Sequence, residues 1–505
     1  MADKIDSNIT GLRFAEEETL KTLPVTPIWY PLEPNSYSDF GGQLATIARN
    51  PINPSRQRKK GVITDLDASG GFNQDLTFNN TTRLLQGFFF ADMRQKASSS
   101  PINGPHVVMT AITAANDDYT AASGLPTTTI AGDLLYASGF GVSANNGLKT
   151  ASAAGTGTAW SVNESLLDEA SPPATSKVEL VGHQFASADC NIVMNGTLAQ
   201  LTSAAVTMTT LPLVEGEWVY LGDDTIGNAF VNNQGYARIK TIAAGYIEFD
   251  KTTWTPQAET GTGKTIRIYY GSVLKNEDDP DDIIRRTYNV ERTLGEDANG
   301  VMSEYLVGAV ANELTLNVAQ ADKVTIDLSF VATDNEQRNG TTGVKSGTRP
   351  TLVSEDAYNT SSDFARIKLA LVSDDTDITP LFAYATQLTL TVNNNVTPNK
   401  AIGVLGAFDT SAGTFEVGGN ITAYFASIDA VQSVRNNADI TLDIILAKDN
   451  KALIIDVPLI SLGDGRLNVE QDQAIQLPLE TNAAESSFGH TLLFQSFPYL
   501  PNSAI

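Results

Sequence analysis

A chain of 505 residues is long enough for about three domains, and its hydrophobic content of 42% is ample for at least one full core. Charged residues make up 18% of the chain, below the usual value of about 25%, which suits turn-rich β structure better than a helical enzyme. The 58 acidic and 33 basic residues give a net charge of -25, which argues against a general nucleic-acid binder because such proteins neutralise phosphates with a basic excess.

The remaining bulk features concern compartment and membrane. A single cysteine, Cys190, excludes an intrachain disulfide and a thiolate metal cluster. The segment Met1–Asp6 is polar and lacks the apolar core of a secretory signal. No window approaches about 18 uninterrupted apolar residues, so neither a membrane span nor membrane anchoring is predicted. We therefore expect the protein to be made and assembled in a cytoplasm.

The first 54 residues are predicted to be an arm followed by an extended lead-in. Residues 1 to about 20 form the arm, in which Glu16–Glu18 suit the first turn of a helix. Residues 22–54 are rich in proline, which removes a backbone donor and fixes φ, so little regular structure is expected there. The prolines of this segment are Pro24, Pro27, Pro31, Pro34, Pro51 and Pro54.

A strand and a short helix are predicted next. From Gly61 to Asp67 a period of two indicates a strand, with Val62, Thr64 and Leu66 on one side and Ile63, Asp65 and Asp67 on the other. Gly70–Gly71 is expected to break it before a second short strand. Asn79 or Asn80 is a good N-cap for the helix that follows. The apolar face of this helix is predicted to hold Leu84, Leu85, Phe88 and Phe89.

The only dense basic run precedes this strand. It consists of Arg49, Arg56, Arg58, Lys59 and Lys60. A DNA clamp is disfavoured, since one short run sits in a strongly acidic chain. We favour a loop that pairs with acidic surface on a neighbouring subunit, because opposite charges set register and association rate. The alternative is a solvated loop.

A change of composition near Ser98 marks a second region. Residues 101–280 are rich in Ala, Gly, Ser and Thr, and they contain short strand-like segments at a spacing typical of a small barrel or sandwich. The clearest segments are residues 216–221, 236–242, 246–250 and 265–270. We predict a discontinuous body of residues 1–100 and 281–505, interrupted by an inserted β-rich domain at 101–280.

Alternating segments resume after Ile283. They are clearest at residues 314–318, 324–330, 388–392 and 440–446. One apolar and one polar face per strand is the pattern of antiparallel sheets, so the predicted fold class is mainly β. No short fixed repeat is present, so a solenoid or propeller is not expected.

One glycine-rich segment looks at first like a phosphate-binding loop. Gly261–Thr265 has the final glycine, lysine and threonine of that motif, but the position that needs the first glycine is Ala258. The motif also opens a helix, whereas residues 266–270 have the pattern of a strand. An ordinary turn is therefore predicted.

Other residues with chemical potential do not combine into a site. His106, His183 and His490 lack metal-ligand spacing. Cys190 follows His183 by seven positions, but a nucleophile also needs a third, orienting group. The acidic segment 276–282 lacks the spacing of acidic residues found in a calcium-binding loop, and it is predicted to be a solvated turn. The sequence therefore predicts no enzyme and no cofactor or metal.

Motifs from both ends of the chain together carry a resemblance to a known family. They are the ordered segments at 49–90, a strand with an Asn turn at 388–394, a Val-x-Gly strand leading into a Tyr-Phe pair at 415–425, and residues 454–460 followed by Glu470–Gln473. In this order they resemble the tail tube proteins of long-tailed, siphovirus-like bacteriophages. The motifs cover about 1–96 and 283–505 and leave 101–280 outside.

The resemblance implies a body of two packed antiparallel sheets with a flanking helix. Six copies would form a ring, and stacked rings would make a virion tail tube through which DNA is ejected. The Arg49–Lys60 loop and residues 1–54 would bridge the rings, and 101–280 would lie on the outer surface. The implied partners are further copies, a tape measure protein, tail terminator or tip proteins, and passing DNA that is not bound specifically.

Aspartates on the predicted strands suggest how the lumen could repel DNA. They are Asp65, Asp67, Asp327, Asp443 and Asp456. Faces that carry them would present like charge to passing DNA. The alternative for each residue is exposure on the outer surface or a salt bridge to a neighbour.

Two other functions remain open at this point. A capsid-decorating or receptor-binding β-protein of a virion would be a monomer or trimer and would not polymerise. A polysaccharide-degrading enzyme on a β scaffold would need two carboxylates placed in a cleft. Formation of a polymer separates the tube from both.

Overall fold

The computed structural model describes residues 5–52, 54–372, 384–425 and 427–504, with Ala365 described by its backbone alone. Strands dominate, and within these ranges the α-helices are α1 (Thr82–Phe89) and α2 (Ile428–Arg435). The strands pair antiparallel in several sheets. The predicted mainly β fold class is confirmed.

The strand bounds follow the chain. Before α1 the strands are β1 (Gly11–Glu16), β2 (Tyr30–Leu32), β3 (Pro34–Arg49) and β4 (Lys59–Asp75). The next thirteen are β5 (Met109–Thr113), β6 (Asp118–Ala121), β7 (Asp133–Ser138), β8 (Gly147–Thr150), β9 (Ala159–Ser161), β10 (Lys177–Gln184), β11 (Asn191–Asn195), β12 (Leu198–Thr202), β13 (Trp218–Leu221), β14 (Gly235–Ala243), β15 (Tyr246–Thr252), β16 (Glu259–Thr260) and β17 (Arg267–Tyr270). The last are β18 (Ser272–Lys275), β19 (Tyr288–Asp297), β20 (Gly300–Ala319), β21 (Thr325–Ala332), β22 (Asp334–Arg338), β23 (Phe364–Leu371), β24 (Ala385–Asn393), β25 (Thr397–Lys400), β26 (Ala407–Ser411), β27 (Glu416–Tyr424), β28 (Ile440–Lys448), β29 (Lys451–Asp464), β30 (Gln476–Ala483) and β31 (Leu493–Phe497).

Within the described residues, the larger sheet has 16 strands, and it contains strands from both the N-terminal and the C-terminal part of the chain. Its main path runs β18-β31-β29-β30-β27-β24-β20-β19-β1-β2. From β20 the sheet also continues through β21 and β4 to β3. The segments predicted to alternate after Ile283 lie in β20, β21, β24 and β28, and their apolar side chains fill one core with α1.

Helix α1 packs the predicted face into this core, but it begins later than expected. Leu84, Leu85, Phe88 and Phe89 are all buried. The N-cap position is Thr81, not Asn79 or Asn80. Asn79 is engaged elsewhere, because its backbone N–H donates to Glu355 Oε2 at 2.7 Å. The Asn80 side chain donates to Glu33 at 2.9 Å.

The proline-rich segment contains far more regular structure than predicted. Strand β3 runs for 16 residues and pairs with β4 from Pro34↔Gln74 to Arg49↔Lys59. The reason lies in the proline spacing, since Pro34 occupies the first position of the strand and the next proline is Pro51. Strand β4 also continues through Gly70–Gly71. A Cβ on Gly71 would come within 2.7 Å of Leu328 O, so that glycine permits close strand contact instead of ending the strand.

Residues 11–16 form a strand instead of part of an arm, and residues 1–4 of the predicted arm lie outside the described residues. Strand β1 pairs with β19 and β2, and it extends to Glu16, so the helical turn predicted at Glu16–Glu18 is wrong. Glu17 is buried, where its carboxylate accepts from the Thr287 hydroxyl at 2.7 Å and the Gly308 N–H at 2.8 Å. These hydrogen bonds tie the segment to β19 and β20.

A second sheet lies within residues 133–270. Its ten strands run β16-β11-β12-β15-β14-β13-β17-β10-β7-β8, and the four strand segments predicted in this region lie in β13, β14, β15 and β17. Beside it is a small sheet of β5, β6 and β9. The second sheet has a hydrophobic core of its own. Gly261–Thr265 lies between β16 and β17 and forms a turn, as predicted.

Candidate assembly surfaces

The β3–β4 hairpin extends well beyond the rest of the larger sheet. Strand β4 pairs with β21 only over Ala68–Asp75, and nearer its N-terminus it pairs with β3 alone. Residues 42–52 and 54–60 are all exposed. At about 3.3 Å per residue, the part from Leu44 to the turn is on the order of 30 Å long. We refer to residues 42–52 and 54–63 as the projecting tip.

The projecting tip carries all five predicted basic residues. Arg49, Arg56, Arg58, Lys59 and Lys60 are exposed, and within the described ranges none of them forms an ion pair. No acidic residue occurs between Asp39 and Asp65. The tip is therefore a concentrated positive surface on a chain of net charge -25.

The tip also exposes apolar side chains, which the sequence analysis did not single out. Ile47 is 62% exposed and Ile63 is 56% exposed, and Leu44, Ile52 and Val62 are exposed as well. Ile47 and Val62 lie opposite each other in the strand register and so share one side of the hairpin. Exposed apolar patches mark interaction sites in proteins. Alternation alone could not find them, because a strand that projects from the body has no face buried by its own chain.

A second hairpin lies against the base of the tip. Strands β25 and β26 form it, and the Lys400 ammonium binds Asp65 at 2.5 Å and also Asp67. This contact lowers the pKa of Asp65 and raises that of Lys400. The loop between the strands exposes further apolar side chains, namely Ile402, Val404 and Leu405. Asp65 and Asp67 are therefore paired at the base of the tip.

Asp327 lies on a polar face of the larger sheet. It is exposed on β21, where Asn317 donates to Oδ2 at 2.6 Å and Asn73 donates to Oδ1 at 2.8 Å. The register puts Glu313, Glu416 and Glu480 on the same face. No lysine or arginine occurs in residues 68–75 and 313–319 or in β21, β24, β27 and β30. This polar face is therefore acidic and lacks basic residues along these strands.

Sequence analysis missed the three glutamates of this face. Each occupies an outward position in a strand whose alternate residues are buried, as in β24, where Leu388, Leu390 and Val392 are buried. The alternation indicated that a polar face exists. Only the strand register shows that polar positions from six strands share it.

Asp443 and Asp456 lie inside the molecule instead. Both are buried, and each is paired with an arginine: Asp443 with Arg366 at 2.5 Å and Asp456 with Arg238 at 3.2 Å. Burial raises the pKa of Asp456 to about 7, although the Arg238 guanidinium acts in the opposite direction. A carboxylate buried within its own chain does not present charge to a lumen, so these two residues leave the set of lumen candidates.

Arg238 connects the two large sheets. It extends from β14 and binds Asp250 of the same sheet at 2.7 Å, while its Nη1 reaches Asp456 and donates to the Thr441 hydroxyl at 2.9 Å in the larger sheet. Burial alone would lower the pKa of Arg238, but the carboxylates of Asp250 and Asp456 raise it.

An apolar cluster surrounds this contact. From the second sheet it includes Leu134, Trp218 and Tyr269, and from the larger sheet Ile454 and Phe497. The Gln495 side chain of β31 accepts from Trp218 N–H at 2.8 Å and donates to Trp218 O at 2.7 Å. The second sheet is thus fixed to the larger one by a buried and partly charged interface.

Three of the other chemical candidates, His183, Cys190 and Glu277, are buried or paired within the fold. His183 contacts Asp133 at 2.8 Å, and both are buried. Cys190 is buried, and burial raises the pKa of its thiol. In the acidic segment 276–282, Glu277 binds Arg94 at 2.9 Å. Among the described residues, no group of three or more His, Cys, Asp or Glu side chains is arranged to hold a metal ion.

No helix of the described ranges is long and apolar enough to cross a membrane.

Comparison with known proteins gives one family. The sequence profile described as phage tail tube protein matches residues 7–211 and 214–483. No curated protein sequence matches the chain. The profile match includes most of residues 101–280, so the smaller extent inferred from the sequence motifs is corrected.

Proposed function

This chain belongs to the phage tail tube protein family, and from this premise we propose that six copies form a ring and that stacked rings form the tube of a long, siphovirus-like tail. The family makes the protein a structural component of a virion tail that assembles with itself. In our proposal the tube conducts DNA into the host, and it contacts a tape measure protein inside and terminator or tip proteins at its ends. Assembly takes place in the host cytoplasm.

The observation that carries the proposal is the projecting tip. Within the described residues, this hairpin extends beyond the rest of the larger sheet, exposes Ile47 and Ile63, and holds five cations that have no ion-pair partner. Such a hairpin is poorly suited to an isolated monomer. It is well suited to reach a second copy. In the proposed tube it bridges one ring to the next.

The free edges of the larger sheet support closure into a ring. Within the described residues, β23 pairs only with β28, and β3 pairs only with β4. Unpaired edges of this kind favour pairing with another chain, and joining sheets between subunits removes them. In the proposed ring the polar face of the larger sheet lines the lumen, and the inserted region 101–280, fixed through Arg238 and its surroundings, lies outside.

Electron microscopy of the purified protein at high concentration tests the proposal. We expect hollow tubes or six-fold rings, and a variant with Ile47→Asp and Ile63→Asp to remain folded by circular dichroism but to form no tubes. Both side chains are exposed, so these changes leave the core intact. Discrete trimers without rings at any concentration would contradict the tube and favour a receptor-binding or capsid-decorating protein.

A further inference from the structure

We propose that the projecting tip binds residues 464–475 of a second copy, which are the last residue of β29 and the loop that leads to β30 and which we name the acceptor loop. This inference rests on the proposed function, because it identifies the surface that receives the tip when rings stack. It follows from strand register, exposure and charge.

The register places the two surfaces at opposite ends of the larger sheet. At the end from which the tip projects, Ala332 of β21 lies beside Ala68 of β4. The strand pairs across β20, β24 and β27 lead from this end of β21 to Asn482 of β30, which pairs with Gly418. Asn482 therefore lies at the end from which the tip projects. Strand β30 therefore starts at the far end, with Gln476 opposite Tyr424. The acceptor loop precedes Gln476, so the proposed stacking of copies end to end directs a tip toward an acceptor loop.

The acceptor loop has the exposure expected of a docking surface. Residues 466–475 are all exposed. Val469 is 68% exposed, and Leu467 and Ile475 are also exposed apolar side chains. These match the apolar residues of the tip, so contact between the two removes apolar surface from water on both sides.

The charges of the two surfaces are complementary. The acceptor loop carries Asp464, Glu470 and Asp472 against one basic residue, Arg466. None of the three carboxylates forms an ion pair within the described part of the chain. The tip has five cations and no carboxylate. Complementary potentials of this kind fix register and suppress wrong partners.

Another acidic area at the same end of the sheet is less suitable. It contains Glu33 and Asp75, but Lys323 binds Asp75 at 2.7 Å and Asn80 donates to Glu33 at 2.9 Å. These carboxylates already have partners in their own chain. Within the described residues, the three carboxylates of the acceptor loop have no ion-pair partner, and Glu470 accepts only a long hydrogen bond from Asn468 at 3.4 Å, so they are the better match.

Crosslinking in assembled tubes tests the inference. A variant with Asn50→Cys in the tip and Gln471→Cys in the acceptor loop is assembled and treated with a short bis-maleimide. We expect a ladder of multimers on a denaturing gel, because each copy links to the next. The native Cys190 is buried and does not compete.

The controls separate this inference from the proposed function. Each single variant, and the pair Asn50→Cys with the exposed Thr262→Cys of the second sheet, should give no ladder. Tubes of the double variant without a ladder would overturn the acceptor loop while the tube itself stands. Absence of tubes from the unmodified protein would instead count against the proposed function.

Charge reversal gives a second measurement. Arg56→Glu with Lys59→Glu should abolish tubes, and so should Glu470→Lys with Asp472→Lys. The four changes together should restore them, because the pairing is recovered with opposite signs. Failure of the combined variant to assemble, or restoration by Glu33→Lys with Asp75→Lys, would overturn the inference.

Discussion

At the residue scale, Arg238 shows how the fold depends on a buried charge between the sheets. Its guanidinium is bound by Asp250 and Asp456, and Asp456 is fully buried. Arg238→Leu leaves Asp456 in the interior without this counter-charge. Breaking a buried pair in this way costs about 3–5 kcal/mol, so we expect a decrease of that size in the free energy of unfolding, measured by urea denaturation with tryptophan fluorescence.

The matched control is an arginine at the surface. Arg285 binds Asp409 at 3.2 Å, and the two side chains are 35% and 39% exposed. Arg285→Leu should cost less than about 1 kcal/mol, because exposed pairs contribute little. Equal effects of the two substitutions would show that the buried contact does not hold the sheets together.

The same pair of sheets explains which aspartates the sequence placed correctly. In β28, Thr441 and Asp443 alternate with apolar residues, which predicts a solvated face. Every residue from Ile440 to Ala447 is nevertheless buried, since the second sheet covers the face that the pattern assigns to solvent. Asp327 lies on β21, which has no such cover, and it is exposed as the pattern indicates. Local alternation cannot report a layer supplied by residues 200 positions away.

At the element scale, β31 attaches the second sheet to the larger one. Gln495 uses its side-chain amide to bond both backbone groups of Trp218, at 2.8 and 2.7 Å, much as a neighbouring strand would. Gln495→Leu leaves a buried N–H and a buried C=O without these partners. An unsatisfied buried group costs about 1–3 kcal/mol, so we expect a loss of at least about 2 kcal/mol in unfolding free energy, measured by denaturation.

Ser496→Ala, one position further along β31, is the control and should have a much smaller effect. Hydrogen exchange locates the change: protection of the amides in β13 should fall in the Gln495→Leu variant, while that of β24 stays the same. Unchanged exchange in β13 would show that β31 is not what holds this strand of the second sheet.

The sequence predicted the presence of strands and helices better than it predicted where they begin and end. A period of two located β21 and β24, because a strand with one covered face alternates buried and more exposed residues. It could not show that β3 extends to Arg49, since the prolines around that segment obscured a proline-free stretch from Asn35 to Asn50. The predicted N-cap at Asn79 or Asn80 is wrong, because both side chains bind distant glutamates.

At the scale of the whole molecule, net charge and its distribution have different consequences. The excess of acid is spread over the chain, but the basic residues of 42–63 are concentrated in one projecting hairpin. The polar face formed by β4, β21, β20, β24, β27 and β30 has the opposite character, with acids and no cations along the segments described above. In the proposed tube, the cations contact neighbouring copies and the acidic face lines the lumen.

The absence of cations from the acidic polar face, along the strand segments described above, leads to a prediction about DNA transport. A phage carrying Glu313→Gln, Asp327→Asn and Glu480→Gln should assemble normal tails, because all three side chains are exposed on the polar face. DNA ejection should be slower, since a face without charge no longer repels the phosphates. The control neutralises three exposed carboxylates elsewhere, with Glu215→Gln, Asp281→Asn and Asp282→Asn. Ejection followed by dye release in single particles should be unchanged in the control, and equal rates in both variants would show that this face does not line the path of the DNA.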